Sequence, residues 1–364
     1  MVDKNQLYED LKELVEAPSI SGTQDEILAA YKIEELLRRI PYFQEHSDHV
    51  MRIPIENDPF GRFLVAAYLE AHEKCADTAI LTGHYDVVDV EEFGSLKDIA
   101  FDIEEITKRI IELPLSDEVK ADHDSGGYLF GRGVFDMKYG HAAALGILRH
   151  YAENGGIKGN LLYVAVCGEE TNSEGMLAAV PFFADFAEKN ELKYRCLLLM
   201  EGYMVEGQEE GIKYIQYSNA GKVMPMFFCI GKTTHGEEPL LGLDANMMSG
   251  EVYRLMHSNP EFCQTNHGIT TAVPCGLKMQ DLKENYSLST TLYSASYYNV
   301  ATIKLNPEEL MQRLTALAEE AFANVVEITE KNAKRFEEIS GRKPEYYRPV
   351  PCVQTFAAFY KGLE

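Results

Sequence analysis

The sequence predicts an α/β fold: a doubly wound, mostly parallel sheet, with a second, smaller α+β domain. Three observations lead there. Residues 78–88, 161–167 and 194–200 are near-continuous apolar runs, as strands buried on both faces read. Helical patterns alternate with them at the spacing of β–α–β units. Each run also stops at acidic or histidine residues: His84 and Asp86, then Glu169 and Glu170, then Glu201. Strand ends of a parallel sheet converge on one edge, so these groups are expected around a common cleft.

In chain order, residues 6–16 place Leu7, Leu11, Leu14 and Val15 on one helical face. Pro18-Ser19-Ile20-Ser21-Gly22 breaks this helix. Thr23 is expected to cap a second helix running to about residue 39, with Glu26 completing a capping box. Residues 62–71 and 78–88 read as strands. Residues 89–127 form an acidic insert with a helix over 103–113. A loop at 131–136, a helix over 137–151, the strand 161–167, a helix over 173–187 and the strand 194–200 complete a first domain over residues 1–212.

The pattern then changes. A strand at 221–231, a helix at 243–257, two short strands within 286–305 and a long helix from Pro307 form a two-layer α+β domain, residues 213–335, which the resemblance described below implies is a lid and dimerisation domain. The tail, 336–364, holds Pro344, Pro349 and Pro351, reads as irregular, and could return to the first domain.

Length agrees with two domains, since 364 residues exceed one ordinary core. Lys plus Arg number 34 against 58 Asp plus Glu, a net charge of −24. That balance excludes nucleic acid and membrane surfaces as partners, both being polyanionic. The seven cysteines are scattered without a Cys-x-x-Cys pair, as reduced thiols of a cytoplasmic protein would be. No apolar run approaches the roughly 18–20 residues of a membrane span, and no signal peptide is evident.

His84 and Asp86 lie two apart, so on extended backbone they project to one side, the relation by which a carboxylate orients a metal-ligating imidazole. Asp136 adds a loop carboxylate just before a helix. Five carboxylates in one cleft (Asp86, Asp136, Glu169, Glu170 and Glu201) repel one another unless cations or protons neutralise them. Carboxylates with imidazole and no thiolate suit Zn2+, Mn2+ or Co2+. His141 and His150, on the helix after the loop, read as structural.

Together, Gly83-His84-Tyr85-Asp86, the run from Gly131 to Lys138 (Gly-Arg-Gly-Val-Phe-Asp-Met-Lys), Cys167-Gly168-Glu169-Glu170 and Glu201 resemble the co-catalytic zinc peptidases of the aminoacylase and glutamate-carboxypeptidase family. Gly231-Lys232-Thr233-Thr234-His235-Gly236 and Gly242-Leu243-Asp244-Ala245-Asn246 match that family's lid signature. Lys138-Tyr139-Gly140-His141 and the acidic insert resemble its arginine-utilisation branch. The resemblance implies a metal-dependent hydrolase of amide bonds in small N-acyl amino acids or dipeptides. It implies that His84, Asp136 and Glu201 bind one ion, and that Asp136 bridges to a second held by Glu170. Asp86 would orient His84, and Glu169 would be the general base. His235 would stabilise the oxyanion, reaching into the partner subunit's site of a homodimer formed through the lid strand 224–230, although Pro225 counts against pairing along all of it. A cis Asp136–Met137 peptide is also implied.

The match fails in two places. Relatives supply a last histidine ligand after the lid, whereas the last histidine here is His267, so the chain reads as truncated or naturally shortened, with one complete Zn2+ site and one incomplete. The strand 297–303 lacks the arginine with which relatives hold the substrate carboxylate. Asn299 is the candidate substrate contact there, and Arg342 and Arg348 are alternative cations in the tail. A metal- or amino-acid-binding protein without turnover is the competing expectation.

Overall fold

Residues 63–69 and 161–166 are apolar on both sides of the backbone, and both sides are buried. The computed structural model describes residues 2–202, 215–216 and 220–363. The chain divides into two compact units, Met1–Glu210 and Gly211–Glu364. The boundary expected at 212/213 lies outside the described residues.

The first unit begins with helices α1 (Lys4–Val15), α2 (Glu26–Arg38) and α3 (Pro41–Glu45). Strands β1 (Val50–Pro54), β2 (Phe63–Leu69) and β3 (Asp77–His84) follow, then the insert with α4 (Ile103–Arg109) and α5 (Asp117–Ser125). Helix α6 (Tyr139–Asn154), strand β4 (Asn160–Val166), helix α7 (Glu174–Lys189) and strand β5 (Lys193–Leu199) complete it. The sheet order is β1-β2-β4-β3-β5. Strands β4, β3 and β5 run parallel, whereas β1 and β2 form an antiparallel edge.

Alternation sorts the core into two layers. Val65, Ala67, Tyr163 and Ala165 face Leu14, Ile33, Leu37, Ala142 and Leu145 of α1, α2 and α6. Leu64, Ala66, Leu162 and Val164 face Ala179, Phe182 and Phe186 of α7. Helices thus cover both faces of the sheet. Each fully buried Leu or Ile contributes about 1.5–3 kcal/mol.

Several local expectations are corrected. No capping box forms at Thr23. The Glu26 side chain turns inward, accepts the Gly22 N–H at 2.8 Å and meets buried Arg62. Strand β1 was not foreseen, because Arg52 and two prolines close to it mask its alternation. The insert carries a second helix, α5, capped by Ser116 and ended by Gly126 in the left-handed region. Strand β5 is an edge, not a buried strand: Leu197, Leu198 and Leu199 are about half exposed, with no described strand on its far side.

The second unit contains β6 (Gly221–Val223), β7 (Met226–Ile230), α8 (Ala245–Met256), the two-residue strands β8 (Thr265–Asn266) and β9 (Ile269–Thr270), β10 (Cys275–Asp281), β11 (Tyr293–Thr302), α9 (Pro307–Ser340) and α10 (Phe356–Lys361). β11 is central, paired antiparallel with β10 on one side and with β6 and β7 on the other. Val252, Met256, Tyr298, Val300, Leu310 and Leu314 pack between sheet and helices. The strand expected over 221–231 is split at Met224 and Pro225. Only one strand lies within 286–305; its partner is β10, whose alternation at Leu277 and Met279 is broken by Gly276. Residues 336–364 belong to this second unit: Tyr347 N–H donates to Leu240 O at 2.7 Å, and Arg348 pairs with Glu330 at 2.9 Å.

Among the described residues, the cysteines are unbridged, and no helix is long and apolar enough to cross a membrane.

Candidate metal centre

Strand β3 delivers His84 at its C-terminal end, where the imidazole is almost completely buried. Its Nδ1–H donates to the Asp86 backbone carbonyl at 3.0 Å. The neutral tautomer therefore leaves a lone pair on Nε2. Nε2 is buried without a hydrogen-bond partner, although Asp136 Oδ1 lies 3.0 Å away outside hydrogen-bonding geometry. When Nε2 is deprotonated, two electron-pair donors face one another at that distance, arranged as two ligands of one cation are.

Ligand atoms of His84, Asp136 and Glu170 all lie within 4.8 Å of one another, a partial metal site. Asp136 comes from the distorted turn Val134–Lys138, and its peptide to Met137 is cis, as expected. Glu170 comes from the loop after β4. Burial, then the Asp136 charge, pushes its carboxyl above the usual range, the response of an acid crowded by another carboxylate. His84 responds in the opposite sense. Burial alone would depress it, but Asp136 and Asp86 outweigh burial and push it up to about 11. A cavity of about 130 Å³ opens here, bordered by Val88, Arg132, Phe135, Asp136 and Glu170. A larger hollow of about 280 Å³, around Asn57, Phe60 and Thr171, holds none of the candidate ligands.

Glu201, expected as the third ligand beside His84 and Asp136, lies outside this group. Its carboxyl is raised by burial and feels the charges of His84, Asp136 and Glu169, so it borders the same cleft. Helix α6 packs onto this strand end through Gly140, where any Cβ would stand 2.1 Å from Met200 O. Glu169 is exposed beside Glu170. Asp86 is wholly buried, and its carboxylate is 3.5 Å from His84 Nδ1. Its closer partners are Ser21 Oγ, at 2.7 Å, and the amides of Glu169 and Glu170, both at 3.1 Å. Burial alone would raise the Asp86 carboxyl, but the bonds from His84, Ser21 and Glu169 hold it below the ordinary range. Asp86 thus orients His84 through its backbone carbonyl and the nearby carboxylate charge, while the same side chain holds the glutamate loop.

His235 and Asn299 lie in the second unit. The His235 imidazole is about half exposed, 55%, and its Nδ1 accepts the Glu237 N–H at 3.3 Å. Asn299, on β11 opposite Cys275, has a buried Oδ1 without a hydrogen-bond partner.

Two layers behind the candidate ligands give no sign of their place in the sequence. His141, read as merely structural, is buried beneath His84: its Nε2 lies 2.8 Å from His84 O and its Nδ1 2.6 Å from Tyr163 Oη. The Glu26–Arg62 pair gave no signal beyond a misread helix cap.

The sequence profile of the peptidase family M20/M25/M40 matches residues 80–354. An uncharacterized Bacillus subtilis (strain 168) protein, YqjN, is 34% identical over 343 residues, covering 94% of this chain and 62% of that protein. Protein RocB of the same organism is 32% identical over 309 residues, covering 85% of this chain and 55% of that protein. The chain thus spans between half and two thirds of these relatives' length. The Saccharomyces cerevisiae dipeptidase Dug1p shares the fold, with a TM-score of 0.61 at 12% identity over 96% of this chain and 85% of that one. Human carnosine dipeptidase 1 does so with a TM-score of 0.53 at 12% identity over 88% of this chain and 75% of that one. With the profile match covering the motifs that converge on His84, the chain belongs to the peptidase family M20/M25/M40.

Proposed function

We propose that this chain is a metal-dependent hydrolase of amide or peptide bonds in small substrates, with His84, Asp136 and Glu170 as cation ligands. The observation that carries the reading is the buried, unpartnered His84 Nε2 facing Asp136 and Glu170. The donor set of one imidazole and two carboxylates fits Zn2+, with Mn2+ and Co2+ as alternatives. Glu201 is kept as a further ligand from the other side of the cleft. A cation held here polarises the scissile carbonyl and acidifies water.

Glu169 supplies the acid–base chemistry. Its exposed carboxylate takes one proton from the attacking water while the water oxygen bonds to the acyl carbon. It then delivers that proton to the leaving nitrogen as the C–N bond breaks. Asp86 and Ser21 keep Glu169 and Glu170 in register with His84. His235 and Asn299 stand as oxyanion and substrate contacts on motif grounds alone. Dipeptides or N-acyl amino acids are the proposed substrates, and the arginine-utilisation resemblance favours a role in arginine breakdown. Scattered free thiols support a cytoplasmic setting, and the lid motif supports a homodimer.

The test is hydrolysis of a panel of dipeptides and N-acyl amino acids by metal-loaded protein. Chelation should abolish turnover. Glu169→Ala should lower the rate about 10²–10⁴-fold while leaving cation binding nearly intact. Turnover that survives chelation refutes the reading, and cation uptake without hydrolysis of any panel member favours a binding protein instead.

A further inference from the structure

We propose that Glu26 is a positioning residue for the metal centre: its buried carboxylate clamps the Gly168 amide and, with Asp86, fixes the backbone that presents Glu169 and Glu170. The inference rests on the reading of Glu170 as a cation ligand.

Three consecutive N–H groups leave the end of β4, and each ends on a buried carboxylate. Gly168 donates to Glu26 Oε2 at 2.9 Å, Glu169 to Asp86 Oδ1 at 3.1 Å, and Glu170 to Asp86 Oδ2 at 3.1 Å. Gly168 is the pivot. It sits at φ +65°, and a Cβ there would lie 2.3 Å from Glu174 Oε2 and 3.0 Å from Arg62 Nη1. Its carbonyl accepts the Ser173 N–H at 2.7 Å, so amide and carbonyl are both tied. Only a glycine reaches this left-handed conformation cheaply, and glycine alone is the least constrained residue. The clamp on its amide supplies the constraint that the residue lacks.

Glu26 is the first residue of α2, 142 positions from Gly168 in sequence, and is 0% exposed. Its other oxygen accepts the Gly22 N–H and Arg62 Nη1, both at 2.8 Å. Arg62, 2% exposed, is completed by Asp58 Oδ2, at 2.7 Å from Nη2 and 2.9 Å from Nε. A buried ion-pair set of this kind is poor evidence for stability, since a well-packed apolar set of equal volume often does as well. What an apolar set cannot do is accept the amides of Gly22 and Gly168 together. Arg62 neutralises the carboxylate that does so. Partners behind metal ligands commonly change metal affinity 10–100-fold when removed.

The test is Glu26→Gln, which keeps shape and volume. A glutamine has one acceptor oxygen, and keeping it on Gly22 and Arg62 turns its NH2 against the Gly168 N–H. Hydrogen exchange by mass spectrometry should show residues 167–172 exchanging about tenfold faster or more, with β3 and β4 unchanged. Co2+ titration, followed by visible absorption, should show about tenfold weaker binding or more. Any turnover should lose kcat with little change in KM. Unchanged exchange at 167–172 overturns the proposal, as does acceleration spread equally over β3 and β4, which marks general destabilisation. If the glutamine variant does not fold, Glu26→Asp is read by the same criteria; it keeps the Arg62 charge pair and withdraws from Gly168. A wild-type chain that takes up no Co2+ defeats the proposed function, while the exchange result still decides the clamp.

Discussion

In the proposed centre a proton and a cation compete for one atom of His84. Nδ1–H is committed to Asp86 O, so whatever binds the ring binds at Nε2. Burial disfavours the imidazolium, but Asp136 and Asp86 outweigh it and push His84 up to about 11 without a cation. His84 should therefore carry a proton throughout the neutral range in metal-free protein, and a cation must expel it. Between pH 7 and 9 each cation bound should release about one proton from this site, and affinity should rise about tenfold per pH unit. Isothermal titration of Mn2+ or Co2+, in buffers of different ionisation enthalpy at two pH values, counts these protons directly. The sign of the stability effect follows from the same shift. A folded pKa raised above the unfolded value near 6.5 gives metal-free protein a contribution that is full below about pH 6.5 and fades as pH rises towards 11. Cation binding with no proton release and a flat affinity from pH 7 to 9 would refute the assignment of Nε2 as the ligand atom.

Two further outcomes are expected. Tyr163→Phe deletes the 2.6 Å bond to His141 Nδ1 and leaves a buried ring nitrogen unpaired beneath His84, costing about 1–3 kcal/mol. A lower urea midpoint checks this, and an unchanged midpoint would show that the Tyr163 hydroxyl does not support the ring. The proposed homodimer through β7 predicts a dimeric mass in sedimentation equilibrium. Phe228→Lys, at an exposed position beside the Tyr293 ring, should shift that mass towards monomer by placing a charge on the pairing edge. A monomeric wild type, or a variant dimer of unchanged strength, would exclude this edge.

The ligands and the layer behind them were legible to different degrees, for a physical reason. His84, Glu169, Glu170 and Glu201 could be placed because each follows an apolar strand, and period and polarity are local properties that a single sequence displays. The same locality explains the errors. Glu26 three residues after Thr23 is a fair capping box by spacing alone, but buried Arg62, 36 positions away, draws the carboxylate inward. At Asp86 the sequence points to the carboxylate 3.5 Å from His84 Nδ1 but not to the closer carbonyl at 3.0 Å, nor to the amides that the carboxylate accepts from a loop more than 80 positions downstream. β5 shows the limit from another side, since an apolar run predicts a strand but not whether another element covers it. Most of the proposed ligands thus announce themselves by chemical type at strand ends, Asp136 in its turn being the exception. Residues that aim them act through backbone amides, which every sequence contains and no motif marks. Substitutions at Glu26, Asp86 and Tyr163 therefore test what the fold adds to the motif, whereas substitutions at His84, Asp136 and Glu170 test only the motif.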